Sequence, residues 1–239
     1  MTANRFTTRP LYLQLRDALA ERISSGNWRP GAIIPSESDL AREFGVSPGT
    51  MRKALNLLES ERVLSRRQGR GTFVNDQNAQ ELALRFCNVI GANKEAIRKG
   101  LRLGPISVGV ATDVEGTRLG LGEQRGVYRI HRVHLYGDRP LMVDTATVPS
   151  DLFPNLLEKQ KSAESVTSLA HNYGILLGTA KERVSIGVAE PDHARSLEIE
   201  AGSPVMVLDR VVMDLAGRVI EWRMARCIFH NQCYLAETS

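Results

Sequence analysis

Residues 36–58 read SESDLAREFGVSPGTMRKALNLL. Two helix starts lie inside this stretch. Ser36 suits an N-cap, and Asp39 three residues later completes a capping-box pattern. Leu40, Ala41 and Phe44 form the apolar face of the helix that follows. Gly45 stands where a left-handed residue ends it, and Val46 fills the turn. Ser47 then caps a second helix with Pro48 at its first position, where a missing N–H costs nothing. Met51, Leu55 and Leu58 recur along the inner side, with Arg52, Lys53 and Asn56 outside. A short helix, a glycine turn and a capped second helix make a helix-turn-helix whose second member is the recognition helix. Its first turn, with Ser47, Gly49 and Thr50, carries small residues that admit a nucleic-acid backbone. The N–H groups and dipole there favour a phosphate.

The flanks complete the unit. Upstream, Leu11, Leu15, Leu19 and Ile23 recur every four residues with Ala18 beside them, which predicts a helix from about Pro10 to Ser24. Gly26 and Pro30-Gly31 break the chain after it. Downstream, Ser65–Val74 reads SRRQGRGTFV. Val63-Leu64 and Thr72–Val74 are expected to pair as short strands, with Arg66–Gly71 as the loop between them. Such a hairpin beside a helix-turn-helix is a wing. Its glycines let the backbone lie against a sugar-phosphate rim, and its arginines neutralise phosphates or enter the minor groove.

Charge agrees with this placement. Residues 1–76 hold twelve Lys/Arg against eight Asp/Glu, and residues 77–239 hold nineteen of each, so the whole net charge of +4 lies in the first third. That asymmetry points to a polyanionic partner for that third. Elsewhere the composition is that of an ordinary globular protein with material for one or two domains. No apolar run reaches a membrane span, and the first residues lack the apolar core of a secretory signal, so a cytoplasmic protein without a membrane partner is expected. The three cysteines, Cys87, Cys227 and Cys233, are too few and too scattered for a disulfide framework or a zinc site. Cys227 and Cys233 read as buried or half-buried thiols near a strand rather than as a redox pair.

The segments PLYLQLRDALAERI and IPSESDLAREFGVSPGTMRKALNLLESERVLSRRQGRGTFV resemble the winged helix-turn-helix of the GntR family of bacterial transcription regulators. The resemblance covers about residues 10–75. It implies DNA contacts at Ser36, Ser47, Thr50 and Arg52, and at the wing residues Gln68, Gly69 and Arg70. Charge adds Lys53, Arg66 and Arg67. Many members carry arginine where this chain has Ser38 and again where it has Pro48. Their absence shifts the electrostatic role toward Arg52, Lys53 and the wing.

The remainder reads as a separate α+β domain. Strand signals cover Ser107–Ala111, Val127–Tyr136, Pro140–Val148, Val184–Ala189, Val205–Met213 and Arg218–Phe229. Turn sequences at 136–139 and 214–217 predict two hairpins. Helices are expected near 151–160, 162–173 and 191–200. The phrases VYRIHRVHLYGDRPLMVDTATVP, DHARSLEIEAGSPVMVLDRVVMD and GRVIEWRMARCIFHNQCYL resemble the effector-binding UTRA domain of the HutC subfamily, a fold similar to chorismate lyase. The expected division is a winged helix-turn-helix over 8–75, a linker over 76–100 and an effector-binding and dimerisation domain over 101–237. By position, the resemblance implies effector contacts at Arg132, His134, Asp144 and Glu221, with Tyr234 nearby. Arg132 and His134 are alternate residues and face one side of a strand. Two cationic groups opposite two carboxylates suit an anionic or polar small molecule.

These readings imply a ligand-responsive transcription regulator that binds a palindromic double-stranded operator as a homodimer and is released by a small catabolite. Two rivals are a chorismate-lyase-like enzyme and a ligand-independent DNA-binding protein. No G-x-S-x-G elbow, H-E-x-x-H pair or Walker loop occurs, so no catalytic residue, metal or cofactor is expected. An enzyme would also leave the basic first third without a role.

Overall fold

The computed structural model describes residues 9–76, 89–91, 99–123, 125–159 and 163–235. The chain divides into two compact units, Met1–Gln77 and Asn78–Ser239.

The first unit contains α1 (Leu11–Ser24), α2 (Glu37–Glu43), α3 (Pro48–Ser60), β1 (Leu64–Arg67) and β2 (Gly71–Val74). Its core is Leu15, Leu19 and Ile23 of α1 against Leu40 and Ala41 of α2 and Met51, Leu55 and Leu58 of α3. The four-residue period of α1 therefore holds, except that Leu11, in the first turn, is exposed while Ala20 is buried. Both caps form as read. The Ser36 hydroxyl oxygen accepts from the Asp39 N–H, and the Ser47 oxygen from the Thr50 N–H. The Asp39 carboxylate takes the Ser36 hydroxyl rather than a backbone N–H, because aspartate is a methylene too short for the full box. Gly45 has φ 64°, the left-handed value the turn needs.

The wing is tighter than expected. Arg66 and Arg67 lie in β1, paired with Thr72 and Gly71, so the loop shrinks to Gln68-Gly69-Arg70. The segment before α2 joins it, with Ile33 bridging Phe73 antiparallel. Gly71, at φ 108°, lies against Ile33, where an added Cβ would stand 2.7 Å from the Ile33 Cδ1. A side chain at that position would strain the backbone as well as crowd the isoleucine.

The second unit is built on a six-stranded antiparallel sheet in the order β4-β5-β6-β9-β8-β7. Its strands are β4 (Lys99–Val110), β5 (Gly126–Tyr136), β6 (Arg139–Pro149), β7 (Leu177–Val188), β8 (Pro204–Asp214) and β9 (Val219–Cys227). Two three-stranded meanders, β4-β5-β6 and β7-β8-β9, meet where β6 pairs with β9. Both expected hairpins form, between β5 and β6 and between β8 and β9. A separate pair joins β3 (Val89–Gly91) to β10 (Gln232–Tyr234).

Side-chain alternation divides the sheet into two covered faces. One face meets 151–159 and α5 (Val166–Asn172) through Tyr128, Ile130, Ala146, Val148 and Val212, packed on Phe153, Leu156, Leu169 and Ala170. The other face meets α4 (Asp113–Leu119), where Leu119 packs with Val127 and Trp222, and α6 (Pro191–Leu197), where Ala194 and Leu197 pack with Val205 and Val207.

Several expectations change here. Residues 151–159 form consecutive turns rather than a helix, and α5 begins only at Val166. The expected helix over 191–200 stops at Leu197, because Glu198 takes a left-handed conformation. The helix α4 is new. It starts on a full capping box between Thr112 and Glu115. Of the expected linker, Val89–Gly91 and the start of β4 are strand. Residues 77–88 and 92–98 lie outside the described residues.

Candidate DNA-binding surface and effector site

On the first unit, the residues named for DNA contact are all at least partly exposed. Ser36 and Ser47 sit at the N-termini of α2 and α3, with Thr50 beside Ser47 and their hydroxyl oxygens 2.8 Å apart. Arg52, 64% exposed, lies one turn further and is held by Glu37 at 2.8 Å. Its bond to Glu37 raises the guanidinium pKa above the usual value. Lys53 and Arg70 form no ion pair among the described residues. Arg66 is braced by Glu59 of α3 at 2.9 Å, and Arg67 stacks its guanidinium 4.6 Å from the Phe73 ring centre. Gly69, at φ 69°, makes the tip. The result is a row of cations on short, folded supports beside a helix start bearing small hydroxyl residues. Such a surface has what a phosphate backbone requires: charge, N–H donors and little bulk.

In the second unit, four of the five residues expected at an effector site converge directly. Register explains why. Arg132 of β5 lies opposite Asp144 of β6, and His134 two residues on shares its face. Arg132 Nε donates to Asp144 Oδ1 at 2.8 Å, and a second guanidinium nitrogen lies 3.4 Å from Glu221 Oε1 on β9. His134 Nε2 lies 2.6 Å from Asp144 Oδ2. Arg132 also reaches the Ala163 carbonyl at 3.3 Å. The Arg132 side chain is 2% exposed, and those of Asp144 and Glu221 are fully buried.

Three further residues extend the cluster and were missed by the sequence reading. Arg210 of β8 donates to Glu221 Oε2 at 2.8 Å. Arg223 of β9, opposite Arg210 in register, donates to Glu182 of β7 at 2.8 Å. Tyr234, the fifth expected residue, donates its hydroxyl to Glu182 at 2.5 Å. It joins the cluster through Glu182, on the strand pair β3–β10. The signal for Arg210 and Arg223 was present in the sequence, as arginines within strands of mostly apolar residues, but the strand order was needed to make them meet.

The electrostatics follow from burial. Desolvation pushes the Asp144 carboxyl up, but Arg132, aided by His134 and Arg223, holds it well below the usual range. Glu221 is likewise pushed up by burial and held below its ordinary value by Arg210 and Arg132. Burial pulls Arg132 down, and its two carboxylates outweigh that and raise it. Arg210 goes the other way, since burial and the neighbouring Arg223 lower it. Three arginines thus face three carboxylates. The Arg223 Nε is buried without a hydrogen-bond partner among the described residues. The expected two cations and two carboxylates are part of a larger neutralised lattice, because no isolated charge can be desolvated this far without a partner.

The two histidines of β5 separate as alternation requires. His131 lies on the opposite face, its Nδ1 3.0 Å from the Thr145 hydroxyl. Cys227 is buried and Cys233 exposed, and neither is in a disulfide. Among the described residues, no group of three or more His, Cys, Asp and Glu is gathered to hold a metal ion. No helix among them is long and apolar enough to cross a membrane.

Comparison with known proteins bears on both units. Residues 11–74 match the model of bacterial regulatory proteins of the gntR family, and residues 102–230 match the UTRA domain. The HTH-type transcriptional repressor NagR of Bacillus subtilis is 28% identical over 235 residues, covering 98% of this chain and 96% of that protein. The histidine utilization repressor of Pseudomonas aeruginosa is 30% identical over 205 residues, covering 84% and 80%. The crystal structure of PhnF from Mycobacterium smegmatis superposes with a TM-score of 0.57 at 23% identity, covering 94% of this chain and 98% of that one. With a capped helix-turn-helix and basic wing in one unit, and a six-stranded sheet carrying a buried charge cluster in the other, the chain belongs to the GntR family of DNA-binding transcription regulators, in the branch that carries a UTRA domain.

Proposed function

We propose that the chain is a cytoplasmic homodimeric repressor that leaves a palindromic operator when a small polar catabolite binds the second unit. In this reading Ser36, Ser47, Thr50, Arg52, Lys53, Arg66, Arg67, Gln68, Gly69 and Arg70 contact DNA. Arg132, His134, Asp144, Glu221 and Tyr234 form the effector site, with Arg210, Arg223 and Glu182 added to it. The DNA-binding part occupies about 8–75 and the effector part extends to about 237, with its fold starting at β3. The observation that carries the effector assignment is the buried cluster on one sheet face, joined by Arg132 and Glu221, which are 89 residues apart in sequence. A purely architectural DNA-binding protein has no use for so many desolvated charges, which stabilise a fold no better than apolar residues do.

The charge balance shapes the ligand. Three guanidinium groups are already matched by three carboxylates, so a dianionic head group would enter without surplus positive charge. A ligand that carries both an acceptor for the Arg223 Nε and a donor for a carboxylate disturbs the balance least. We therefore read the effector as a zwitterion or a polyhydroxylated neutral molecule. No nucleophile with an activating base is gathered in the cluster, and this favours a sensor over a catalyst. A ligand shifts DNA affinity only by binding one arrangement of the dimer better than the other.

Electrophoretic shift of the promoter region that lies upstream of the gene tests the DNA half. Binding tighter than to random DNA, weakening steeply with salt, is expected, and equal binding to both overturns an operator-specific role. The effector half is tested by adding amino-acid-like and sugar-like candidates to the same complex. His134→Ala should abolish the response to whichever compound releases the wild type, while leaving operator affinity intact. Release that persists in this variant would remove the cluster from the ligand site.

A further inference from the structure

The face of the large sheet opposite the charge cluster is covered unevenly. There α4 packs over Val127 and Trp222, and α6 packs over Val205 and Val207. Beside α4, over β7 and β8, lies an open groove of about 430 Å³, a size within the about 300–1,000 Å³ usual for small-molecule sites. Val211 and Met213 of β8 and Val219 of β9 give it an apolar floor. Its charged members are Arg118 of α4, Asp209 of β8, and Lys181 and Arg183 of β7. Register places Lys181 opposite Val211 and Arg183 opposite Asp209, so both cations share the face of the groove. Glu182, between them, turns to the other face, where it bonds Arg223 and Tyr234. Asp209 is already occupied: one oxygen accepts from Arg118, and the other accepts from Trp222 Nε1 at 2.9 Å. Lys181 and Arg183 are exposed and form no ion pair among the described residues. Three cations against one carboxylate leave the groove two positive charges in surplus.

We propose that this groove is a second ligand site, separate from the charge cluster, and that it takes an amphipathic anion: an apolar body ended by a phosphate monoester. The floor matches the body, since valine and methionine side chains gain by being covered from water. The rim matches the head. A phosphate monoester carries close to two negative charges at neutral pH, which equals the surplus. Arg183 offers a planar fork to two of its oxygens, and Lys181 adds a mobile point charge one pleat away. Arg118 is held in place beforehand, bonded to Asp209 and 5.9 Å from the Trp222 ring centre. The cluster on the other face has the opposite character. Its guanidinium groups are buried and matched, so a dianion there meets no surplus charge, whereas the groove has charge to spare and keeps it in solvent. A polymer of phosphates fits the groove less well, because it has no apolar body for the floor. Strand β7 serves both faces, with Lys181 and Arg183 on the groove and Glu182 on the cluster.

Titration calorimetry of the full-length protein tests this, with octyl phosphate as the probe. Wild type should bind it saturably, and should bind octanol, which lacks the head, and inorganic phosphate, which lacks the body, at least about tenfold more weakly. Replacing Lys181 and Arg183 together by alanine should weaken octyl phosphate at least about tenfold, the loss of one or more charge-assisted hydrogen bonds. Both residues are exposed, so the circular dichroism spectrum and operator binding of the double variant should match the wild type. Arg183→Gln alone serves as the second variant should the double one fail to fold, and it should weaken the same probe. Undiminished affinity in the folded variant would overturn the site, because the probe would then be held elsewhere. Octanol binding as tightly as octyl phosphate, or no saturable binding by the wild type, would overturn it as well. Operator binding is read separately, so failure of the groove leaves the repressor reading standing.

Discussion

Arginine serves the two units in opposite ways. In the first unit Arg52, Arg66, Arg67 and Arg70 stand in solvent on short supports. In the second, Arg132, Arg210 and Arg223 lie under a sheet face with 2–9% of their side chains exposed. A solvated cation contributes little to stability but keeps its field for a polyanion. A desolvated one is stable only inside a matched set of carboxylates, and removing a single member leaves its partners uncompensated. The contrast teaches that net charge located the DNA-binding unit because its cations are surplus. The second unit sums to zero, and each of its three buried cluster arginines is paired with a carboxylate.

The sharpest test of that contrast is Glu221→Ala. It strands Arg132 and Arg210 at once, and it should destabilise the second unit by about 3–5 kcal/mol. Urea unfolding read from Trp222 in a Trp28→Phe background would measure it. A loss below about 1 kcal/mol would mean that the cluster is hydrated and the contrast false. For the same reason Arg132→Ala is a poor probe of ligand binding, since it would unfold the site it is meant to test.

Acid should separate the units next. Asp144 and Glu221 have carboxyl pKa values held below their unfolded values of about 4. Glu115, bonded to Arg129 and to the Thr112 backbone, falls to about 2. Depressed carboxylates contribute stability that is present above the unfolded pKa and is lost as pH falls through the folded values. The Trp222 transition should therefore drop steeply in temperature below about pH 4, and the Trp28 transition less. Parallel loss in both units would contradict the different placement of their charges.

A smaller effect is expected on the exposed side. Replacing both Arg66 and Arg67 by alanine should leave the melting temperature nearly unchanged and reduce the log–log salt slope of operator binding by roughly 1.8, about 0.9 for each phosphate contact. An unchanged slope removes them from the interface. Ser47→Ala should have the smallest effect, about 1 kcal/mol of stability from the lost cap. Its operator binding should weaken further than that loss accounts for if the α3 N-terminus also meets a phosphate.

Legibility differed between the units for a physical reason. The helix-turn-helix could be read because its determinants are local: Ser36 and Ser47 bond the N–H three residues away, and Gly45 takes its left-handed turn unaided. The wing loop was drawn too wide, because Arg66 and Arg67 carry no strand preference and pair only by the register that Phe73 and Val74 impose. In the second unit strand positions were readable and the expected helix over 151–160 was not. Its apolar residues, Phe153 and Leu156, are buried by the sheet rather than by a helical repeat.

By itself, the sequence determined the winged helix-turn-helix and the number of central strands, with β4 and β7 each read over less than half its length. Caps, turns and alternation act within a few residues and need nothing else. Only the tertiary structure decided that Glu221 meets both Arg132 and Arg210, that Arg223 and Tyr234 share Glu182, and that β7 keeps an open edge. The meeting of Glu221 with Arg132 depends on the pairing of β6 with β9, which joins strands some eighty residues apart. No local signal specifies that pairing. It is set by which arrangement buries the apolar faces and neutralises the buried charges together.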